Sequence, residues 1–438
     1  MLYERPVLRA VLGRMGESGA LPASAGDLDA AAFRAAAEAV REGALDDGGE
    51  GLRAQAPLAV AYEDAIVRNC VSALAEMLER LARECGRVSS QLLGGKPVGR
   101  VRGIFSAGVD THRHGREVLR IDAEGGSIYY KPRPWEIDAL LAELADCWLL
   151  GCAEVPRFVR GDGYSFVAQV VPPASLDEED VGEYWHHLGA LSALFHGLGS
   201  RDMTEDNILC AGVRPAVIDA ETLLAAGVVQ RAGDAPLQPS ALNSSVLPRP
   251  GDPERRSPLT TDSASGGCLP RVGGAARTVA GYERDFLDGF AVGYRRLVAA
   301  RDEVAELLDQ AADVPCRKVL LNTRAYVQAR AGLFSAAGLA DPSQRERVVR
   351  WLWDRYDGPS AERCLALARA DVAALAEGDI PYYSSLAGGL TLCGADSGDA
   401  FDGVLAKSAL ELARDRLAML DEAELRHELG VIEDALGL

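Results

Sequence analysis

Apolar residues recur along this chain with two different periods. Val67, Val71, Leu74, Leu78 and Leu81 stand four, three, four and three apart, which places them on one face of a helix. Gly86, just after Cys85, is expected to end that helix as its C-cap. Upstream, the Ala-rich stretch from Leu28 to Glu42 predicts another helix, stopped by Gly43, and residues 45–53 read as a flexible Gly-rich connection. Near residue 100 the pattern changes. Glu117 to Ile121 and Ser127 to Lys131 are short β-type runs around Asp122 to Gly126, a hairpin with a Gly-containing turn. Ile137, Leu141, Leu144 and Trp148 then share a helix face, Tyr164 to Val171 reads as a strand, and Glu183 to Leu198 as a helix with Leu188, Leu191 and Phe195 turned inward. A polar loop from Gly199 to Asn207 leads to Ala216–Asp219, a short buried strand ending in a carboxylate. Residues 232–276 are rich in Pro, Ser, Gly and Asp, and a loop that long is usually functional or mobile. From about residue 277 the pattern is mostly helical to Leu438. No internal repeat interrupts it.

The chain has 438 residues, 48% of them hydrophobic, enough to bury a sizeable core and too many for a disordered protein. With 46 basic and 65 acidic residues its net charge is −19. That balance, without any basic stripe, argues against nucleic acid and against an anionic membrane surface as partners. No run approaches the ~18 apolar residues of a membrane helix, and Met1 to Pro6 lacks the regions of a signal peptide. The nine cysteines are scattered. Cys147 and Cys152, the nearest pair, match no zinc or redox spacing, so reduced thiols in a cytoplasm are expected.

Three segments could carry chemistry. Tyr129-Tyr-Lys-Pro-Arg133 closes the hairpin, where Lys131 can project into a cleft as a fixed cation for phosphate oxygens. Asp202, Asn207 and Asp219 follow, at spacings that let a loop present the first two while the next strand returns the third. Kinases need such a set: one Asp for the attacking hydroxyl, an Asn and a second Asp for magnesium on the nucleotide phosphates. The third segment, Ser106 to Arg116, holds Asp110, His112 and His114. Two His so close on a loop, without a third ligand, make poor zinc spacing; a phosphate- or substrate-facing turn suits them better. His186, His187 and His427 read as structural or surface residues.

In this order the segments resemble the N-terminal dehydratase half of class II lanthipeptide synthetases (LanM enzymes). The resemblance covers residues 100–385 and rests on Asp110-Thr-His112 with Gly115-Arg116, Tyr130-Lys-Pro-Arg133, Asp202 to Asn207 with Ala211-Gly212, and Pro215 to Thr222. Asn243 to Pro248, Asn322 to Tyr326 and Gly378 to Tyr383 resemble later family segments less specifically. It implies a lipid-kinase-like, two-lobed core. Lys131 would contact nucleotide phosphates, Asp202 would be the catalytic carboxylate, Asn207 and Asp219 would hold magnesium, and Asp110 and His112 would line the same cleft. The implied activity uses ATP and Mg2+ to phosphorylate Ser and Thr in a ribosomal precursor peptide bearing a leader. Elimination of phosphate to dehydroalanine and dehydrobutyrine would follow. A separate cyclase or lyase is the implied partner, since no zinc-binding Cys/Cys/His set follows residue 385.

There are departures. Thr204 stands where the family usually has His. Leu321 stands where the family's elimination Arg is expected, with Arg317 and Arg324 close by, and Thr260 or Thr261 are stand-ins for an elimination Thr. On these grounds phosphorylation should outrun elimination. The sequence thus predicts a mixed α/β (α+β) protein: a helical region 1–95, a kinase-like N-lobe 96–172, a C-lobe 173–335 containing the loop 232–276, and a C-terminal helical region 336–438. Two rivals share part of this logic, a small-molecule kinase of aminoglycoside-phosphotransferase type and a leader-peptide-binding pseudokinase.

Overall fold

The computed structural model describes residues 57–108, 110–148, 151–225, 227–228, 239–249, 256–263, 266–356, 360–394 and 398–438. The helix expected at Leu28 to Glu42 and the connection at 45–53 lie outside them. The first described helix, α1 (Pro57–Leu92), buries Val67, Leu74, Leu78 and Leu81, the stripe read from the sequence. It does not end at Gly86. Val88 and Leu92, on the same face, are also buried, and that burial outweighs the ~1 kcal/mol that a mid-helix Gly costs.

Helix α1 covers a five-stranded antiparallel sheet of order β1-β2-β3-β5-β4. Its strands are β1 (Val101–Ser106), β2 (Leu119–Ala123), β3 (Gly126–Lys131), β4 (Phe158–Arg160) and β5 (Ser165–Ala168). The expected hairpin is β2–β3, in register from Leu119↔Tyr130 to Ala123↔Gly126, so its turn is Glu124-Gly125. Between β3 and β4 lies α2 (Glu136–Trp148).

A second core forms around α3 (Glu178–Leu198) and α4 (Glu283–Ala299). Helix α3 is buried on nearly every side through its second half, as a helix apolar all round must be. The two helices touch at backbone distance. A Cβ on Gly189 would overlap the Phe286 carbonyl, and one on Gly289 would overlap the His186 carbonyl. Between them come the hairpin β6 (Ile208–Cys210)–β7 (Pro215–Val217) and the short strands β8 (Gly227–Val228), β9 (Arg271–Val272) and β10 (Ala275–Ala276). The described parts of the 232–276 loop are partly built into the interior: Val246, Leu247, Leu259 and Leu269 join the second core.

The rest is mostly helical, as the sequence predicts, but it also holds a sheet that the pattern did not show. After α5 (Arg301–Gln310), strand β11 (Pro315–Lys318) opens a four-stranded antiparallel sheet with β12 (Tyr383–Leu386), β13 (Leu392–Gly394) and β14 (Ala400–Phe401). Those strands are too short to show an alternating pattern, and β11–β12 pairing spans the expected boundary at residue 335. Helices α6 (Thr323–Leu333), α7 (Ala336–Ala340), α8 (Ser343–Trp353) and α9 (Ala361–Ala376) separate the paired strands, α6, α8 and α9 enclosing a third core. Strand β15 (Leu405–Lys407), α10 (Ala409–Met419) and α11 (Glu422–Leu436) complete the chain. At 47% helix and 15% strand the fold is α+β. No helix among the described residues is long and apolar enough to cross a membrane, and among the described side chains eight cysteines, from Cys70 to Cys393, are free thiols.

The helix crossing yields a stability test. Gly289→Ala should destabilise the fold by about 1–3 kcal/mol, because the added methyl meets backbone that cannot rotate away. Urea denaturation of the variant checks it, with Gly430→Ala, whose added methyl meets no neighbouring atom, as control; a Gly289→Ala midpoint equal to wild type would contradict the contact.

Candidate active site

Lys131 ends β3 beside the core residue Tyr130, and its side chain is almost fully buried rather than solvated. Its Nζ donates to the Ile218 carbonyl and stands 4.0 Å from the Asp138 carboxylate. Burial, reinforced by the positive charge of Arg133, pushes the ammonium below its usual range, against the pull of Asp138, Asp219 and Glu221. Two residues on, Arg133 turns back under the strand. Its Nη1 donates to Asp138 Oδ2 at 2.6 Å, and its Nη2 reaches both Asp138 Oδ1 at 3.1 Å and Asp219 Oδ1 at 2.9 Å. Asp138 is supplied by the first turn of α2. Burial raises the Asp219 carboxyl, but Arg133 and Lys131 together overcome burial and hold it below the usual carboxylate range.

The loop after α3 brings the next two residues. Asp202 is exposed and has φ +59°, in the left-handed region that non-Gly residues rarely enter. Asn207 Nδ2 donates to the Asp202 carbonyl at 2.6 Å, and the Asn207 carbonyl accepts from the Ile218 N–H at 2.9 Å. Asn207 therefore ties the loop carrying Asp202 to the residue preceding Asp219. The loop is also held from below. Thr222 Oγ1 donates to the Arg201 carbonyl at 2.6 Å. Met203 N–H donates to the Ser244 carbonyl at 2.8 Å, and the turn leading to Ser244 is anchored by buried Glu428, which accepts from Ala241 N–H at 2.7 Å. Part of the long loop thus supports the catalytic-loop candidate.

The segment before the hairpin closes the cleft. Arg113, His114 and Gly115 have φ of 54°, 65° and 78°, three left-handed residues in succession. The Asp379 carboxylate accepts from the N–H groups of His114 at 2.6 Å and Gly115 at 3.1 Å. His112 Nδ1 stands 2.7 Å from the Ile380 carbonyl, so that nitrogen carries the proton. Its Nε2 is then the acceptor for Arg317 Nη2 at 3.3 Å. His114 goes elsewhere, pairing with Glu377 at 3.0 Å. Burial raises the Asp110 carboxyl, while Arg330 and Arg317 oppose it.

The structure thus links Lys131, Asp219, Asn207 and Asp202 by direct bonds or shared neighbours, and connects His112 through Arg317 to Glu221. Arg317, on β11, donates to Glu221 and lies 5.1 Å from the Tyr382 ring centre. Arg324 is exposed on α6, and Leu321 packs against the third core. Of the two arginines near Leu321, Arg317 is the one at the cleft. Thr260 and Thr261 face one another at 3.5 Å between hydroxyls. Arg133, Asp138, Glu221, Tyr382 and Asp379 were not singled out from sequence. Arg133 and Glu221 each lie two residues from a chosen residue; Tyr382 and Asp379 lie in the segment Gly378 to Tyr383, read there only as a weak likeness. Among the described residues, His196, Glu424 and Glu428 form a group with metal-ligand geometry, but they belong to α3 and α11, not to this cleft.

A family model described as "Domain of unknown function (DUF4135)" matches residues 61–265 and 254–385. It is a family associated with lanthipeptide synthetase domains. A comparison with curated proteins finds no match.

His112 supplies a pH test. Burial, reinforced by Arg317, lowers its imidazole to about 3, from about 6.5 in an unfolded chain. Between those limits the unfolded chain binds a proton that the folded chain refuses, so the native state loses stability as pH falls below about 6.5. His112→Gln should lose less stability than wild type between about pH 7 and about pH 5, read from urea midpoints. Equal losses in the two proteins would contradict a neutral His112.

Proposed function

The chain belongs to the family described as Domain of unknown function (DUF4135), and from that premise and the charged cleft we propose that it phosphorylates Ser and Thr side chains of a ribosomally made precursor peptide, with ATP and Mg2+. The observation that carries the reading is the convergence of Lys131, Asn207 and Asp219, through Ile218, beneath a loop that exposes Asp202. The donor set suits a hard cation. Both bonds to Asp219 land on Oδ1, from Arg133 and from Glu221 N–H, and Asn207 uses its Nδ2, which leaves carboxylate Oδ2 and amide Oδ1 as oxygen ligands. Bound there, magnesium would neutralise phosphate charge.

In this reading Asp202 takes the hydroxyl proton of the substrate side chain, its left-handed backbone aiming the carboxylate out of the loop. Lys131 holds the phosphates, while Arg133 keeps Asp138 and Asp219 in place. A lipid-kinase-like arrangement of two lobes, the five-stranded sheet above and the α3–α4 core below, belongs to the same proposal. Arg317 takes the cationic role for which Leu321 is unsuited: it is charged, buried against Glu221 and beside His112. With that cation at the cleft, the expectation that phosphorylation outruns elimination loses its main premise.

Asp202→Asn should keep ATP binding and lose transfer by at least about 100-fold, and Asp219→Asn should lose it by a similar factor. Incorporation of labelled phosphate into a precursor peptide measures both; transfer at wild-type rates in either variant would defeat the assignment. ATP binding without any transfer by wild type would favour the leader-peptide-binding reading.

Arg317→Ala separates the two half-reactions. It should accumulate phosphopeptide where wild type yields the dehydrated product, because the departing phosphate loses its cation. Mass spectrometry distinguishes the gain of phosphate from the loss of water. An unchanged product ratio would remove Arg317 from the elimination step.

A further inference from the structure

Beside the charged cleft lies a second depression, with a cavity volume of about 170 Å³. One wall is a single face of α9, where Ala370, Ala373 and Ala374 stand at helical spacing; the opposite wall is Pro381, Tyr382 and Tyr383. Its rim carries His114 and Glu377, paired with each other at 3.0 Å.

Two features say what it would hold. First, the tyrosine hydroxyls of its wall are already engaged, and the His114 at its rim is paired with Glu377. Tyr383 OH donates to Asp371 at 2.7 Å, Tyr382 OH is 3.5 Å from Glu221, and His114 is taken by Glu377. What remains for a guest is ring faces, alanine methyls and a proline ring, which suit an apolar group. Second, the depression shares a wall with the cleft. The Tyr382 ring that lines it also stands 5.6 Å from the His112 ring and 5.1 Å from the Arg317 guanidinium. A guest seated here is one aromatic ring away from the charged cluster.

We propose that this depression is a subsite for an apolar side chain of the peptide substrate, next to the Ser or Thr that enters the cleft. The inference rests on the reading of the chain as a peptide-modifying enzyme. It adds a sequence preference to that reading: Leu, Ile or Phe beside the modified residue, and rejection of Asp or Glu, whose charge would be stripped of water against rings and methyls.

The test uses two fluorescein-labelled synthetic peptides, identical except for Phe or Asp beside a single Ser. Binding is read by fluorescence anisotropy without ATP, and transfer by phosphate incorporation, on the full chain. The Phe peptide should bind at least tenfold more tightly. Ala373→Phe should cut that ratio to near one, because the new ring occupies the depression; Ala373 is itself exposed, so the substitution leaves the core intact. Ala370→Phe, one helical turn earlier, should act in the same direction. No preference in wild type, or a preference that survives both substitutions, would overturn the proposal. The two ideas fail separately. Transfer without any Phe preference keeps the kinase and removes the subsite. A preference abolished by Ala373→Phe, without transfer, keeps a peptide-binding subsite and removes the kinase.

Discussion

Arg133 holds its charge where little water reaches it, and it can do so because carboxylates from separate stretches of chain converge on it. Buried alone, a guanidinium would be prohibitive. Here Asp138 binds both terminal nitrogens, and one of those nitrogens also reaches Asp219. Its Nε, without a hydrogen-bond partner, stands 3.8 Å from Glu221, which in turn receives Arg317. A planar fork can serve two carboxylates at once, whereas a lysine ammonium cannot reproduce that geometry. The pairing fixes the start of α2 against the end of β3, and ties both to the chain leaving β7 and, through Glu221, to β11. Four elements from three separate stretches of chain are therefore registered by one charge network, and each residue assigned to nucleotide chemistry is positioned relative to it.

The loop before the hairpin shows the same economy in backbone conformation. Two successive non-Gly residues in the left-handed region cost on the order of 1 kcal/mol or more each. The turn persists because it delivers two N–H groups to one carboxylate of Asp379, while Gly115 packs where a Cβ would press on the backbone of Asn69 and Cys70. The Ile380 N–H donates to the Thr111 carbonyl at 2.8 Å, and the Ile380 carbonyl accepts from His112. Backbone and ring are clamped by consecutive residues of one strand approach. The clamp also sets the protonation state of His112: with Nδ1–H committed to a carbonyl, Nε2 must accept, and a guanidinium is its donor.

Local signals explain what the sequence disclosed. The hairpin, α3 and the stripe on α1 follow from periods of two and three to four that burial then enforced. Lys131, Asp202, Asn207 and Asp219 stood out because their residue types are chemically demanding and lie within one 90-residue stretch. The end of α1 differs from the sequence expectation because Gly86 signals a stop locally, while the sheet that buries Val88 and Leu92 begins only at Val101. The four-stranded sheet escaped notice for a similar reason: β11 and β12 are paired across more than sixty residues, and each is only four residues long. Arg317 and Asp379 act through partners reached only by that pairing, so no spacing rule along the chain could have joined them to His112.

The charge balance of the cleft limits what it can accept. Lys131, Arg133 and Arg317 face Asp138, Asp219 and Glu221, three cations against three anions, so the site as it stands is near neutrality. A polyphosphate entering alone would find cations whose field is already cancelled by neighbouring carboxylates. That is the physical reason a nucleotide reading of this cleft requires a divalent ion on the carboxylate side, and it singles out Asp219, which is less deeply buried than Asp138. Lys131 fits the other half of the balance. Its ammonium has three donors, of which the Ile218 carbonyl takes one. The remaining donors keep a point charge available for phosphate oxygens without breaking the network that Arg133 maintains.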